Sequence, residues 1–164
     1  MEKILVTGGC GFVGSKLIPS LLKKQFKIKV IDNQWFGNYL SPDKNLTILK
    51  KDTRDIDFED IEDVSRIIHL ANIANDPAVD LDPTLSWEVN VLATQQLLDK
   101  VQKLRNFKQF IFASSGSVYG VKTEKEVTED LNLVPISTYN KTKMIAERVV
   151  NSYSNIIRCY NIRP

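Results

Sequence analysis

The chain has 164 residues, a length that suits one domain with a single core, and its 22 basic side chains nearly balance 20 acidic ones. The balanced charge, without a basic stripe, argues against a nucleic-acid partner, and no apolar run approaches the roughly 20 residues that would cross a membrane. Two cysteines and one histidine indicate neither a disulfide framework nor a metal site, so we expect a reduced, cytoplasmic protein.

A strand, a tight glycine turn and a helix are predicted at the start of the chain. The apolar run 4–6 ends at Thr7, glycines stand at positions 8, 9, 11 and 14, and an apolar helical pattern covers residues 12–24. Glycines let the backbone turn sharply and leave no side chain between the main chain and an incoming diphosphate. The first turn of the helix offers that anion unpaired N–H groups and the positive end of the helix dipole. A glycine-rich turn without a ligand is the alternative for this stretch taken alone.

Asp32 strengthens the dinucleotide interpretation. A second apolar run, residues 28–31, ends at this acid, close to the position about 20 residues after the glycines where the fingerprint places a ribose-binding carboxylate. A carboxylate accepts hydrogen bonds from two ribose hydroxyls but repels a 2′-phosphate, by about 4 kcal/mol for one charge pair at about 4 Å and an effective dielectric of about 20. No basic residue follows at position 33, so the sequence predicts NAD rather than NADP.

Strands alternate with helices along the rest of the chain. Further strands are predicted at 46–49, 66–70, 107–113 and 156–158, and helices at 58–64, from Pro83 to about 104, and at 137–152. Segments 33–45, 71–82 and 114–135 are predicted loops, the first of them near the adenosine end of the cofactor. Residues 1–164 are therefore predicted to form one NAD-binding α/β domain. We expect a doubly wound parallel sheet, the Rossmann fold, with strand order 3-2-1-4-5-6 and helices on both faces.

Polar or glycine residues directly follow the predicted strands. In a doubly wound sheet the ligand lies outside the carboxyl ends of the strands, at the switch point between strands one and four. A purely structural sheet has no need for such residues at those ends. The segments concerned are 8–14, Asp32, Asp52, 70–72, 114–117 and 159–161.

Tyr139 and Lys143 lie four residues apart on a predicted helix, which puts both on one face. A free phenol has a pKa near 10, and lowering that pKa to 7 requires roughly 4 kcal/mol. The ammonium of Lys143 and the positive ring of an oxidised nicotinamide can supply this stabilisation and make Tyr139 a general base. Ser115, just beyond strand five, can meet the substrate oxygen that Tyr139 deprotonates. An ordinary surface helix is the alternative for the Tyr–Lys pair alone, and a loop that caps its own backbone is the alternative for Ser115.

These segments resemble, in order and over nearly the whole chain, the extended short-chain dehydrogenase/reductase family of NAD-dependent sugar epimerases and dehydratases. The matching stretches are 7–14 (TGGCGFVG), Asp32-Asn33, 52–55 (DTRD), 69–72 (HLAN), Asn90 in WEVNVLAT, 114–120 and 139–143 (YNKTK). Each motif is short, but the combination is highly specific.

The resemblance implies a role for each matching residue. The glycine turn with Phe12 and Val13 would contact the diphosphate, Asp32 the ribose, and Asp52 with Thr53 the adenine. The implied cofactor-binding residues are Gly8, Gly11, Phe12, Val13, Gly14, Asp32, Asn33, Asp52, Thr53, Leu70, Ala71, Asn72, Asn90, Tyr139 and Lys143, and the implied catalytic residues are Ser115, Tyr139 and Lys143. Of these, Leu70, Ala71 and Asn90 would lie near the nicotinamide half. His69 is similar to the structural histidine of the family.

By the same resemblance we expect a nucleotide-sugar epimerase with NAD as cofactor. Tyr139 would remove a hydroxyl proton while a hydride passes from the same carbon to NAD, and the hydride would return to the other face of the keto sugar. Gly116 and Ser117 stand where the 4,6-dehydratases of the family carry Asp-Glu, which argues against dehydration. A net sugar oxidoreductase and an NAD-binding module without chemistry are the alternatives.

Two expectations about assembly also come from the resemblance. Family members pair through the helices that correspond to 85–104 and 137–152, which implies a homodimer. Family members also continue past strand six into a C-terminal domain that binds the nucleotide-sugar, and the sequence ends at Pro164. We therefore expect that the substrate domain is absent from this chain and that the residues selecting the sugar and its carbon are absent with it.

Overall fold

The computed structural model describes residues 2–164. Six parallel strands form one central sheet. The strand order is β3-β2-β1-β4-β5-β6, and each neighbouring pair is parallel. The strands are β1 (Lys3–Thr7), β2 (Lys27–Asp32), β3 (Leu46–Lys50), β4 (Arg66–His69), β5 (Gln109–Ala113) and β6 (Cys159–Ile162). The predicted Rossmann topology is confirmed.

Helices connect the strands. They are α1 (Phe12–Lys23), α2 (Phe58–Ile61), α3 (Asp76–Leu81), α4 (Pro83–Trp87), a π-helical segment (Glu88–Leu92), α5 (Ala93–Val101) and α6 (Thr138–Ser152). Short 3-10 turns cover Thr53–Asp55 and Gly116–Tyr119. Ser137 caps α6 as predicted, because its hydroxyl accepts a hydrogen bond from the Asn140 N–H.

Alternation along the strands divides the core into two layers. Ile4 and Val6 of β1 pack with Ile18 of α1 on one face of the sheet. Leu5 points to the other face, where it belongs to a larger cluster with residues of α5 and α6 such as Leu97 and Val150. Helices therefore cover both faces of the sheet, as the sequence predicts, and the strands present their carboxyl ends along one edge.

The sixth strand differs from the prediction. Residues 156–158 do not form it, because the Ile156 and Ile157 N–H groups bond back to the Tyr153 carbonyl in the turn that closes α6. Ile157 is buried in the core, which explains its strand-like apolar character. Residues 159–161, expected just beyond a strand, lie within β6 itself. This strand is at the edge of the sheet, and its apolar side chains are only partly covered.

Two further segments also depart from the sequence-based boundaries. The predicted loop 71–82 contains α3, which begins after Asn75, whose side-chain oxygen accepts a hydrogen bond from Ala78 N–H. The helix that starts at Pro83 ends at Val101 and contains a π-helical turn, which apolar spacing does not reveal.

None of the helices within residues 2–164 combines the length and apolar character that a bilayer crossing requires. Within those residues, no three His, Cys, Asp or Glu side chains are grouped to hold a metal ion.

Candidate active site

A cavity of about 340 Å³ opens at the carboxyl ends of β1, β2 and β4, at the switch point of the sheet. This volume is in the range of small-molecule sites. The predicted cofactor residues that line it are Gly8, Gly11, Phe12, Val13, Asp32, Asn33, Asp52, Thr53, Leu70, Ala71 and Asn72. The topology brings these residues together from four separate segments of the chain.

Sequence reasoning missed part of the lining. The additional residues are Trp35, Phe36, Ile73, Ala74, Val89 and Ala113. Trp35 and Phe36 follow the acid of β2 after two intervening residues, and Phe36 is 86% exposed, so two adjacent aromatics in a loop were the available signal. Ala113 is the last residue of β5, so the rule that ligands lie at the carboxyl ends of the strands indicates this position.

The glycines of the turn have separate roles. Gly8 has a φ of +68°, and a Cβ there would lie 2.6 Å from the backbone of Ala71, so both the turn and the close approach require glycine. A Cβ at Gly14 would overlap the Gly9 carbonyl group, so Gly14 serves helix packing and does not line the cavity. At Gly11 a Cβ would meet only the Gly8 oxygen, at 3.3 Å. Gly11 is therefore the position whose missing side chain leaves room for a ligand.

Asp32 holds the turn and keeps capacity for a ligand. Its two carboxylate oxygens accept hydrogen bonds from the Cys10 N–H at 3.0 Å and the Gln34 N–H at 2.7 Å. Each carboxylate oxygen has two acceptor sites, so Asp32 can accept further hydroxyl donors. Burial, and then the charge of Asp32, raise the pKa of the Cys10 thiol to about 11.

Asp52 lines the cavity, but its carboxylate is already paired. It accepts hydrogen bonds from the backbone and guanidinium of Arg54, which also binds Glu88. Burial would raise the pKa of Asp52, but the hydrogen bonds from Arg54 outweigh that effect and keep the pKa below its usual value. The ion pair thus fixes the Thr53–Asp55 turn against the π-helical segment.

Ser115 lies close enough to Tyr139 to influence its pKa, and neither residue lines the cavity. The Ser115 hydroxyl shares a 2.7 Å hydrogen bond with that of Ser117. Burial raises the pKa of Tyr139, a hydrogen bond with Ser115 opposes this, and the charge of Asp76 raises it further. The residues of the chain alone therefore shift this pKa upward without a contribution from Lys143, and the depression expected from Lys143 together with an oxidised nicotinamide stays a prediction.

Lys143 does not lower the pKa of Tyr139 because its ammonium is directed to the Ala113 carbonyl. The side chain is 3% exposed, its Nζ donates to the Ala113 carbonyl at 2.7 Å, and it lies 4.8 Å from the centre of the Phe112 ring. Burial lowers the pKa of Lys143 to about 7, although the charge of Glu147 opposes the shift. Lys143 does not line the cavity, but it contacts Ala113, which does.

Asn90 lies behind the cavity wall and not on it. It is 1% exposed, in the π-helical segment. Its Oδ1 accepts from the Ile73 N–H at 2.8 Å, and its Nδ2 donates to the Ile73 carbonyl and to the Thr142 hydroxyl, each at 3.1 Å. Asn90 thus connects the wall residue Ile73 to α6, and π-helical turns are frequent at such functional positions.

The residues present fit a dinucleotide. Gly11 leaves its space open toward the cavity, and the first N–H groups of α1 follow with no side-chain cap. Asp32 retains acceptor capacity at the tip of β2. A parallel sheet with this turn and acid at its switch point defines a Rossmann-type domain.

The sequence profile of the NAD dependent epimerase/dehydratase family matches residues 4–164. The chain belongs to that family.

Individual relatives agree with this assignment. A putative UDP-glucose 4-epimerase of Methanocaldococcus jannaschii is 31% identical over 157 residues, which are 93% of this chain and 51% of that protein. A D-erythronate dehydrogenase of Haemophilus influenzae is 31% identical over 160 residues, 93% of this chain and 50% of that protein. The crystal structure of a Bacillus cereus UDP-glucuronic acid 4-epimerase with UDP-glucuronic acid and NAD superimposes with a TM-score of 0.86 at 29% identity, covering 98% of this chain and 55% of that one. The chain spans about half the length of these proteins.

Proposed function

We propose that this chain is the NAD-binding part of a nucleotide-sugar epimerase that inverts the sugar at C4. One observation carries the proposal: the cavity that contains Gly11 and Asp32 ends at Ala113, the carbonyl of which binds the Lys143 ammonium. A dinucleotide cradle and the candidate catalytic helix are thereby in contact. The choice of C4 and of a UDP-sugar is supported by the names of the similar epimerases.

The cavity residues divide into four groups for holding NAD. The Gly8–Gly14 turn, with the N–H groups of Phe12 and Val13, would bind the diphosphate. Asp32 would accept from the ribose hydroxyls, and its charge favours NAD over NADP. The remaining groups are Asn33, Asp52 and Thr53 toward the adenine, and Leu70, Ala71 and Asn72 toward the nicotinamide half, with Asn90 supporting the latter from behind.

NAD, when bound, accepts a hydride from the sugar carbon and returns it. Tyr139 takes the proton of the sugar hydroxyl as general base, and Ser115 orients the same oxygen. The positive ring of the oxidised nicotinamide would favour the phenolate, and Lys143 would add to this on turning its ammonium from the Ala113 carbonyl toward Tyr139. Its pKa of about 7 leaves roughly half of the lysine charged at neutral pH, so we expect proton removal to depend on both groups.

A net oxidoreductase is the second candidate, because the chain is as similar to a D-erythronate dehydrogenase as to an epimerase. The same three residues would then serve one direction of hydride transfer. Gly116 and Ser117 in place of two acids argue against the dehydratase variant. An NAD-binding module without chemistry has no use for Ser115, Tyr139 and Lys143 together.

Assembly and location are part of the proposal. The α5 and α6 helices pack side by side, and the hydroxyl of Tyr153, which directly follows α6, donates to Asp99 on α5 at 2.6 Å. We expect a homodimer that pairs through these two helices. The two free cysteines suit a cytoplasmic location.

Cofactor binding is tested by calorimetric titration of the chain with NAD and NADP. Wild type should bind NAD more tightly than NADP. Gly11→Ala places a methyl group at the cavity and should weaken NAD binding at least about tenfold, with little change in stability. Ser20→Ala, on the exposed side of α1, is the control and should bind as wild type does. A folded wild-type chain that takes up no NAD at millimolar concentration would contradict the proposal.

Chemistry is tested on the longest gene product that contains this chain. Interconversion of UDP-glucose and UDP-galactose is followed by NMR, and NADH by absorbance. Inversion that is lost in Tyr139→Phe, with NAD affinity retained, supports the epimerase. Steady accumulation of NADH supports the oxidoreductase, and NAD binding with neither reaction across a panel of nucleotide-sugars supports the binding module.

A further inference from the structure

A chain of hydrogen bonds runs behind the cavity wall. Thr7 at the end of β1, His69 at the end of β4 and Thr94 in the first turn of α5 are each at most 1% exposed. The Thr7 hydroxyl lies 2.6 Å from Nδ1 of His69, and Nε2 of His69 lies 2.9 Å from the Thr94 hydroxyl. Thr7 and His69 are also direct neighbours in the sheet register. The imidazole therefore bridges two hydroxyl groups in the core.

Backbone groups close both ends of this chain. The Ala71 N–H donates to Thr7 Oγ1 at 3.4 Å. At the other end, the Thr94 hydroxyl donates to the Asn90 carbonyl at 2.9 Å. A backbone N–H can only donate and a carbonyl can only accept, so the two ends differ in kind.

The two ends fix the direction of every bond between them. Since the Thr94 proton points to the Asn90 carbonyl, Thr94 Oγ1 is left to accept from His69. Since Thr7 Oγ1 accepts from Ala71, its own proton is available to His69. His69 then carries its proton on Nε2 and accepts at Nδ1. The opposite tautomer would leave the buried Thr7 hydroxyl without an acceptor, which is costly in the interior.

Both ends of this chain of hydrogen bonds lead to the same wall of the cavity. Ala71 lines the cavity. Asn90, whose carbonyl ends the chain, holds the lining residue Ile73 through both atoms of its amide. Segment 70–73 is thus held at two points by one connected set of buried polar groups, with His69 at the centre.

We infer that His69 is a positioning residue: as the neutral Nε2–H tautomer it joins Thr7 to Thr94 and holds segment 70–73 in the shape that receives NAD. The part that concerns NAD rests on the proposed function, whereas the tautomer does not.

The tautomer is measured by long-range ¹H–¹⁵N NMR at neutral pH on the chain labelled with ¹⁵N-histidine. His69 is the single histidine of the sequence, so the spectrum contains one imidazole. We expect the pattern of a neutral ring that is protonated at Nε2. A ring protonated at Nδ1, or an imidazolium, would overturn the inference.

Two isosteric variants test the direction of the bonds. Thr94→Val removes the acceptor of the Nε2 proton, so the ring should move its proton to Nδ1, where the Thr7 oxygen accepts it. Thr7→Val removes the acceptor of the Ala71 N–H, but from the ring it removes only a donor to Nδ1, so the Nε2–H form should persist. A tautomer that changes from wild type in Thr7→Val and persists in Thr94→Val would mean that the bonds run the other way. Thr94→Ser restores the hydroxyl and should restore the wild-type spectrum.

NAD affinity tests the positioning role, with all variants compared where circular dichroism shows them folded. Thr94→Val should weaken NAD binding about tenfold, and Thr94→Ser should recover it. Ser86→Ala is the matched control, since that equally buried hydroxyl donates only within its own helix, to the Asp82 carbonyl. Unchanged affinity in Thr94→Val would overturn the positioning role. Wild type without NAD affinity but with the Nε2–H spectrum would refute the proposed function and leave the tautomer standing.

Discussion

His69 should make the folded chain sensitive to mild acid. It is 1% exposed, and burial, followed by the charge of Lys143, lowers its pKa from 6.5 to about 3. Below pH 6.5 the unfolded state therefore binds a proton that the folded state does not. Stability is lost as the pH falls from about 6.5 toward 3, at about 1.4 kcal/mol per pH unit.

The magnitude can be worked out for a drop from pH 7 to pH 5. At pH 7 His69 is neutral in the folded state and about three-quarters neutral in the unfolded state, and at pH 5 the unfolded state is nearly fully protonated. The loss is about 2 kcal/mol, a large share of a typical stability of about 5–15 kcal/mol. The acids with lowered pKa, such as Asp52 and Asp60, start from reference values of 3.8 and lose their contribution at lower pH. Lys143, with a pKa lowered from 10.5 to about 7, changes the stability with pH mainly above pH 7.

Urea unfolding of wild type and His69→Gln at both pH values measures this effect. The variant is less stable at each pH, but only the difference between the two pH values is compared. Wild type should lose about 2 kcal/mol more than His69→Gln between pH 7 and pH 5. Equal losses in the two proteins would show that His69 remains able to bind a proton in the fold, and the reasoning would fail.

Three further predictions concern other buried groups. Gly14→Ala should destabilise the chain by about 1–3 kcal/mol or more, as in an overpacked core, because the added Cβ would overlap the Gly9 carbonyl group. Thermal melts measure this loss of stability. Arg163→Met should cost about 3–5 kcal/mol, because Glu147, 1% exposed, loses both bonds of its ion pair, and the double variant with Glu147→Gln should recover part of the loss in urea melts. Lys143→Met should stabilise the chain more at pH 6 than at pH 9, since the buried lysine is charged in the fold only at the lower pH; a larger gain at pH 9 would contradict the lowered pKa.

The fold was predictable where the signal is local or periodic. The glycine turn, the acid at the end of β2 and the apolar strand runs each depend on a few adjacent residues, and the order of a doubly wound sheet follows from their alternation. The sequence predicts a strand at residues 156–158 because this run is apolar. Ile157 is apolar because it is buried in the core, although it does not lie in a strand. That distinction depends on backbone bonds to Tyr153, which composition does not encode.

The candidate site was predictable in its lining but not in its electrostatics. Motif spacing placed Tyr139 and Lys143 on one helix face, from which a lowered phenol pKa was expected. The direction of the Lys143 ammonium depends on the Ala113 carbonyl, 30 residues away in sequence, and no spacing rule contains that contact. The support that Asn90 gives to Ile73 likewise requires the π-helical turn, which apolar periodicity does not show.

The buried titratable groups favour a functional origin for this site over a purely structural one. His69 and Lys143 both lie against Phe112: the imidazole centre is 5.9 Å from the centre of that ring and the ammonium 4.8 Å. Burial works against the charged form of both side chains, so each reduces stability at some pH. A methionine at position 143 would fill similar volume without that cost. A sequence selected for stability alone has no reason to keep a lysine there, whereas a site that needs a cation beside its base does.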